Sequence, residues 1–113
     1  MLLAVVMAVV MLPVQAFAVT SIKGAYVGQN FGLVIDVVNN STSYSISGEI
    51  PDGLTASGTY TTQNDNYALS LALTGTPKTA GTYNFRVTYY KPYPNDNEVS
   101  KTVSYVMNVG ESA

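Results

Sequence analysis

The chain offers few side chains that could carry out acid–base or nucleophilic chemistry. It has no His and no Cys among its 113 residues, so the usual neutral-pH proton carrier and the thiolate nucleophile are both missing. Glu49 and Asp52 stand three residues apart and could form a carboxylate pair. Pro51 and Gly53, however, place them on a tight turn for which no cleft is predicted. We therefore expect no catalytic residue and no cofactor, and a protein that is not an enzyme.

Two Asn-Asp-Asn segments, 64–66 and 95–97, offer oxygen ligands for a metal ion. Calcium takes six to eight oxygens from carboxylates, amides and carbonyls. A shared site would use the weak calcium candidates Asp65, Asp96 and Glu98, and the same segments could bind another ligand through Asn64, Asp65, Asn95 and Asp96. The alternative is that Asn and Asp serve here as ordinary turn formers, with no metal bound.

Tyrosines and prolines are concentrated just before the second of these segments. Tyr90 and Tyr93 are predicted to face outward, and Pro92 and Pro94 stiffen the chain around them. An exposed Tyr on a stiff loop can stack on a sugar or press on a partner protein. The alternative is a tyrosine-rich strand end followed by a rigid turn. Tyr90 and Tyr93 are nevertheless the leading candidates for ligand binding.

The charge of the chain argues against a nucleic-acid partner. It carries 5 basic and 7 acidic residues, for a net charge of −2, and the basic residues are scattered. Phosphate binding needs a clustered positive surface. Only 11% of the residues are charged, a low fraction that is typical of secreted β-proteins.

The N-terminus has the pattern of a secretory signal. An uninterrupted apolar run covers residues 1–12, and the small-x-small sequence Ala16-Phe17-Ala18 follows. The run is shorter than the roughly 20 apolar residues needed to span a bilayer and is broken by Pro13, which disfavours an uncleaved anchor. We expect a signal peptide over 1–18 and one domain over 19–113, secreted or at the cell surface and without a membrane segment.

The rest of the chain is built from short segments in which apolar and polar residues alternate. This period of two predicts half-buried strands, at 21–27, 31–38, 44–48, 55–62, 67–73, a sixth that starts at Tyr83, and 98–109. In the second strand the alternation places Phe31, Leu33, Ile35 and Val37 inward and Asp36 on the wet face. No helix is indicated. Seven such strands predict an all-β sandwich of antiparallel strands, and a chain without Cys can form no disulfide.

Four motifs in order carry a family resemblance. They read Tyr44-Ser45-Ile46-Ser47-Gly48, Ile50-Pro51-Asp52-Gly53-Leu54, Leu73-Thr74-Gly75-Thr76-Pro77 and Ala80-Gly81-Thr82-Tyr83-Asn84-Phe85-Arg86-Val87. The chain resembles the immunoglobulin-like (cadherin-like) domain of bacterial surface proteins, the He_PIG type. That resemblance implies an immunoglobulin-like β-sandwich, and a non-enzymatic module of extracellular, adhesin-like or carbohydrate-active proteins.

The last motif also resembles the tyrosine corner of immunoglobulins. In that corner the Tyr hydroxyl bonds to the backbone a few residues upstream, and Tyr83 stands at the matching position. Phe85 then takes the place of the second immunoglobulin Cys, and Pro77 and Gly81 shape the turn before it. All four are expected to be structural.

If successive strands alternate in direction, the second-to-third, fourth-to-fifth and sixth-to-seventh loops meet at one end. The leading hypothesis is a surface module that uses this end for adhesion or for binding carbohydrate or protein. The alternative is a subunit or spacer of a surface fibre that assembles through sheet edges, with the last strand, 98–109, offering its edge.

Overall fold

The computed structural model describes residues 18–63, 66–92 and 98–111, and these residues form seven strands and no helix. Each predicted strand is present, with ends that differ from the prediction by one or two residues. In chain order they are β1 (Val19–Tyr26), β2 (Phe31–Asn39), β3 (Ser43–Gly48), β4 (Leu54–Gln63), β5 (Asn66–Gly75), β6 (Gly81–Tyr90) and β7 (Val99–Gly110). The predicted signal peptide lies almost wholly outside the described residues. No helix in the described part of the chain is long and apolar enough to cross a membrane.

The strands form two sheets, which confirms the immunoglobulin-like β-sandwich. Sheet A has the order β1-β7-β6-β3 and sheet B the order β2-β5-β4. β1 runs parallel to β7, whereas every other pair is antiparallel. β7 therefore has a neighbour on each side, and the expectation that its edge could accept a further strand is wrong. The free edges belong to β1, β3, β2 and β4.

The core lies between the inner faces of the two sheets. On β5, β6 and β7 the predicted alternation holds, because every second residue is buried over 69–73, 85–89 and 105–109. The buried apolar side chains are Ile22, Ala25, Val38, Leu54, Leu69, Leu71, Leu73, Phe85, Val87, Tyr89, Tyr105, Met107 and Val109.

β2 departs from its predicted alternation because it contains a β-bulge. Its pairing with β5 shifts register between Val34 and Asp36, so that Asp36 lies opposite the fully buried Leu71. One extra residue moves every following side chain to the other face. As a result Val38 is buried and Val37 is 55% exposed, and Asp36 faces inward. The predicted inward position of Val37 and outward position of Asp36 are both wrong.

Tyr83 makes the hydrogen bond expected of a tyrosine corner. Its hydroxyl donates to the carbonyl oxygen of Thr79 at 2.6 Å. Phe85, two residues later, is buried and stacks on Tyr105 with ring centroids 5.1 Å apart. The two rings belong to neighbouring strands of sheet A, so the position that holds a Cys in immunoglobulins is filled here by a ring packed within its own sheet.

The connections β3–β4 and β5–β6 pack against each other at one end of the sandwich. We call residues 51–54 and 75–78 together the corner clasp. The amide of Thr76 donates to the carbonyl of Gly53 at 3.2 Å, and the amide of Lys78 donates to that of Asp52 at 2.9 Å. Gly53 and Gly75 both have positive φ, and a Cβ on either would overlap backbone atoms of the other connection. The motifs P-D-G-L and G-T-P thus form one structural unit.

Candidate binding site at the loop end

The β2–β3 loop lies at the end opposite the corner clasp, where the start of β5 and the end of β6 also lie. These are the described flanks of the β4–β5 and β6–β7 loops, whose residues 64–65 and 93–97 lie outside the described residues, so the meeting of all three loops stays a prediction. The amide of Asn40, in the β2–β3 loop, donates to the carbonyl of Tyr67 at the start of β5, at 2.6 Å. The amide of Thr42 donates to the carbonyl of Tyr90 at the end of β6, at 3.2 Å. Hydrogen bonds therefore tie the β2–β3 loop to the start of β5 and to the end of β6.

An open notch of about 420 Å³ lies between the first two of these loops. It is lined by Asn39, Asn40, Asn66 and Tyr67, which we call the tip notch. Asn40 has a φ of 61°, in the left-handed region that Asn tolerates better than most residues. None of the four was singled out as a binding residue from the sequence. The signal that could have found them is the Asn-Asn pair directly after an apolar strand.

The β2–β3 loop is anchored beside the notch by a buried hydroxyl. Ser41 is fully buried, and its Oγ donates to the carbonyl of Ser43 at 3.2 Å. A buried Ser that makes a hydrogen bond fixes the local backbone, since leaving it without a partner would cost free energy. The loop therefore holds Asn39 and Asn40 in a defined position.

Tyr90 lies on the outer face of sheet A beside this end of the molecule. Its ring is half-buried, and its hydroxyl shares a 3.1 Å hydrogen bond with the hydroxyl of Ser45 on β3. Tyr90 therefore lies along the sheet next to β3. The other predicted ligand-binding residues, Tyr93, Asn64, Asp65, Asn95 and Asp96, lie outside the described residues.

Of the three calcium candidates only Glu98 is described. Its carboxylate lies 3.8 Å from the ammonium of Lys91, and the Lys91 amide donates to the Glu98 carbonyl at 2.8 Å. This ion pair closes the base of the β6–β7 loop. Within residues 18–63, 66–92 and 98–111 no group of three or more His, Cys, Asp or Glu comes together. Asp65 and Asp96 fall outside those ranges, so calcium binding stays a prediction.

Glu49 and Asp52 are held at the far end of the molecule. The Glu49 amide donates to the carbonyl of Asn84 at 3.0 Å, and the Asp52 carbonyl accepts from Lys78 in the corner clasp. Neither residue is among those that line the tip notch.

A second cavity, which the sequence did not predict, opens between the sheets where β2 passes β7. This inter-sheet groove, of about 540 Å³, has apolar walls at Ile35 and Val103, and its lining also includes Asp36, Lys101 and Tyr105. The Asp36 carboxylate lies 2.9 Å from the Lys101 ammonium, so the two sheets are joined across the groove. The bulge in β2 is what turns Asp36 toward this partner.

Two tyrosine hydroxyls continue this polar contact into the core. The hydroxyls of Tyr89 and Tyr105 lie 3.4 Å apart. Burial raises the pKa of Tyr89 far above its usual value, and the hydrogen bond with Tyr105 and the Asp36 charge act in the same direction. Burial also raises the pKa of Tyr105, again aided by Asp36, while its bond with Tyr89 acts the other way. Both phenols therefore stay neutral at physiological pH, which suits a structural role.

Comparison with known proteins gives a family and two structural neighbours. A family model described as "Putative Ig domain" matches residues 13–110. A solution structure of amebosin is 22% identical over 80% of this chain and 88% of its own, with a TM-score of 0.47. A cysteine protease inhibitor from Entamoeba histolytica is 17% identical over 82% of this chain and 86% of its own, with a TM-score of 0.43. No curated protein matches the chain.

Proposed function

Because the chain belongs to the immunoglobulin-like family whose model matches residues 13–110, we propose that it is a non-enzymatic binding module of the extracellular surface. Domains of this family commonly occur in extracellular proteins. The ligand is held at the loop end of the sandwich, and carbohydrate is the ligand class that the tip notch suits best.

The chemistry of the tip notch supports this proposal. Each Asn side chain offers an amide oxygen and an NH₂ group, and together they can accept from and donate to neighbouring sugar hydroxyls. Tyr67 adds an aromatic ring to a lining that contains Asn39, Asn40 and Asn66. The described residues that line the notch are three amides and one phenol, and these groups suit the hydroxyls of a sugar.

A binding experiment on amide variants tests the proposal. The wild-type protein should recognise neutral glycans on an array, and the double variant Asn39→Ala/Asn66→Ala should lose at least tenfold in affinity by calorimetry. Both side chains are exposed, so stability should change little. Asn84→Ala is the matched control, because Asn84 is exposed on β6 near the other end of the sandwich. Unchanged affinity in the double variant would rule the notch out as the binding site.

Assembly through sheet edges is a second candidate function, as a subunit or spacer of a surface fibre. The observation that favours it is the free side of β4, the edge strand of sheet B.

A further inference from the structure

The free side of β4 is the longest uninterrupted sheet edge in the described structure. β4 runs for ten residues, and its pairing with β5 continues from Leu54 to Gln63 without a register shift. It is the last strand of sheet B, so only one of its two sides is paired. Alternate backbone N–H and C=O groups on the other side are available to a new strand.

The other free edges carry features that oppose strand addition, and β4 does not. β1 contains Lys23 and has an irregular register between Ile22 and Ala25. β2 is interrupted by its bulge, which is followed by Asp36, and β3 has only six residues. Charges, bulges and short length are the devices by which proteins protect edges. The β4 sequence, LTASGTYTTQ, contains no charge and no Pro, and its pairing shows no bulge.

Nothing in the described residues covers this edge. Thr55, Ser57, Thr59 and Thr61 are exposed on the outer face, and Tyr60 is 57% exposed. The one backbone hydrogen bond recorded for β4 outside the sheet ladder is that of the Leu54 amide with Pro51, at the start of the strand.

We propose that β4 pairs with β4 of a second copy of this chain, antiparallel and about a two-fold axis. The two three-stranded sheets then become one six-stranded sheet. A two-fold axis brings each residue of the edge opposite residues of the same edge. A charged edge would suffer like-charge repulsion in that arrangement, whereas an uncharged one does not.

The residues on β4 suit this self-pairing. Its outer-face column of Thr and Ser places hydroxyl and methyl groups opposite each other across the axis, and Thr–Thr and Thr–Ser pairs are favourable in sheets. If the axis passes near the middle of the strand, Tyr60 lies within a few residues of it and loses exposure. A single strand pair buries less area than the roughly 1,200 Å² of a stable interface, so the association should be reversible and depend on concentration.

This inference rests on the second candidate function, and sedimentation velocity over a concentration series tests it. The wild-type chain should shift from monomer to dimer, and Thr59→Lys should weaken dimerisation at least tenfold, because two ammonium groups then meet across the axis. Thr74→Lys is the matched control, since Thr74 is exposed on the same sheet face but on the interior strand β5. Circular dichroism checks that both variants fold. Thr61→Lys replaces Thr59→Lys if the latter unfolds.

Cysteine cross-linking locates the contact independently. The chain has no Cys, so single variants Ser57→Cys, Thr59→Cys and Thr61→Cys report only on the introduced thiol. A disulfide-linked dimer should form for the variant nearest the axis and not for Thr74→Cys. The chain could still dimerise while Thr59→Lys leaves the dimer unchanged and none of the three cysteine variants forms a disulfide-linked dimer. That result would overturn the β4 pairing but leave fibre assembly through another surface. A chain that stays monomeric at every concentration would overturn both.

Discussion

At the scale of single residues, several tyrosines stabilise the fold both by packing the ring and by hydrogen-bonding the hydroxyl. Tyr83 bonds to the backbone of the loop before it, and Tyr89 and Tyr105 bring their hydroxyls together inside the core. A buried phenol needs a partner for its hydroxyl, and in return it fixes the position of its strand. Removing these hydroxyls should therefore lower the stability of the fold more than it lowers ligand affinity.

We expect Tyr83→Phe to lower the free energy of unfolding by about 1 kcal/mol, because it removes the bond to Thr79 and keeps the ring. The measurement is urea denaturation. Tyr90→Phe serves as the comparison, since it removes a hydroxyl that bonds to the exposed Ser45 hydroxyl and not to the backbone of the corner. An equal loss in the two variants would argue against a special role for the corner.

The buried tyrosine pair predicts how stability depends on pH. The pKa values of Tyr89 and Tyr105 are raised in the folded protein, while unfolded tyrosines ionise near pH 10. The contribution is fully present below pH 10 and is lost as the pH rises above it, since only the unfolded chain then ionises readily. The free energy of unfolding should be level from pH 7 to about 10 and then fall.

Tyr89→Phe should make this alkaline decline shallower, by up to about 1.4 kcal/mol per pH unit for one group. Denaturation curves at a series of pH values measure the slope. Tyr60→Phe, at an exposed position, is the matched control. If the stability of the wild-type protein does not fall above pH 10, the buried tyrosine pair does not have raised pKa values.

At the scale of elements, β2 shows how one inserted residue redirects a strand. The bulge turns Asp36 inward, where it pairs with Lys101. It also buries Val38 and exposes Val37, the reverse of the expected arrangement. Part of the carboxylate's desolvation cost is offset by the ion pair. β2 is thus an edge strand that carries both a bulge and a charge.

Val38→Ala should cost about 2 kcal/mol, because it removes two buried methyl groups, whereas Val37→Ala should cost about 0.5 kcal/mol. The two variants make the same chemical change at neighbouring positions and can be compared by urea denaturation. If β2 alternated without a bulge, as expected from the sequence, Val37→Ala would cost more stability than Val38→Ala.

At the scale of the whole molecule, the sandwich has one end joined by the corner clasp and one end formed by loops. Gly75→Ala should destabilise the fold by about 3 kcal/mol or more, because it adds a Cβ that overlaps the Gly53 backbone and imposes a positive φ on Ala. Gly28→Ala has the same kind of φ but open space around it, so it should cost only about 1–2 kcal/mol. Thermal unfolding compares the two, and similar losses would show that the clash is absent.

Much of this architecture could be predicted from the sequence, because period-two alternation is a local signal and the motifs with Gly and Pro mark the corners. The bulge could not, since L-V-I-D-V-V is apolar at five of its six positions and therefore fits either register. The parallel pairing of β1 with β7 and the Asp36–Lys101 contact join distant parts of the chain and leave no local pattern. The sequence placed the β2–β3 and β4–β5 loops at one end, but it could not show that Asn39 and Asn66 line one notch, because that depends on contacts between distant residues.

The corner clasp also bears on how such a domain can diversify. Its hydrogen bonds join the β3–β4 and β5–β6 connections at the end opposite the loops. Each doubling of a flexible loop costs only about 0.6 kcal/mol of closure entropy. The β4–β5 and β6–β7 turns should therefore accept inserted sequence at little cost, which makes this chain a natural scaffold for grafted recognition loops.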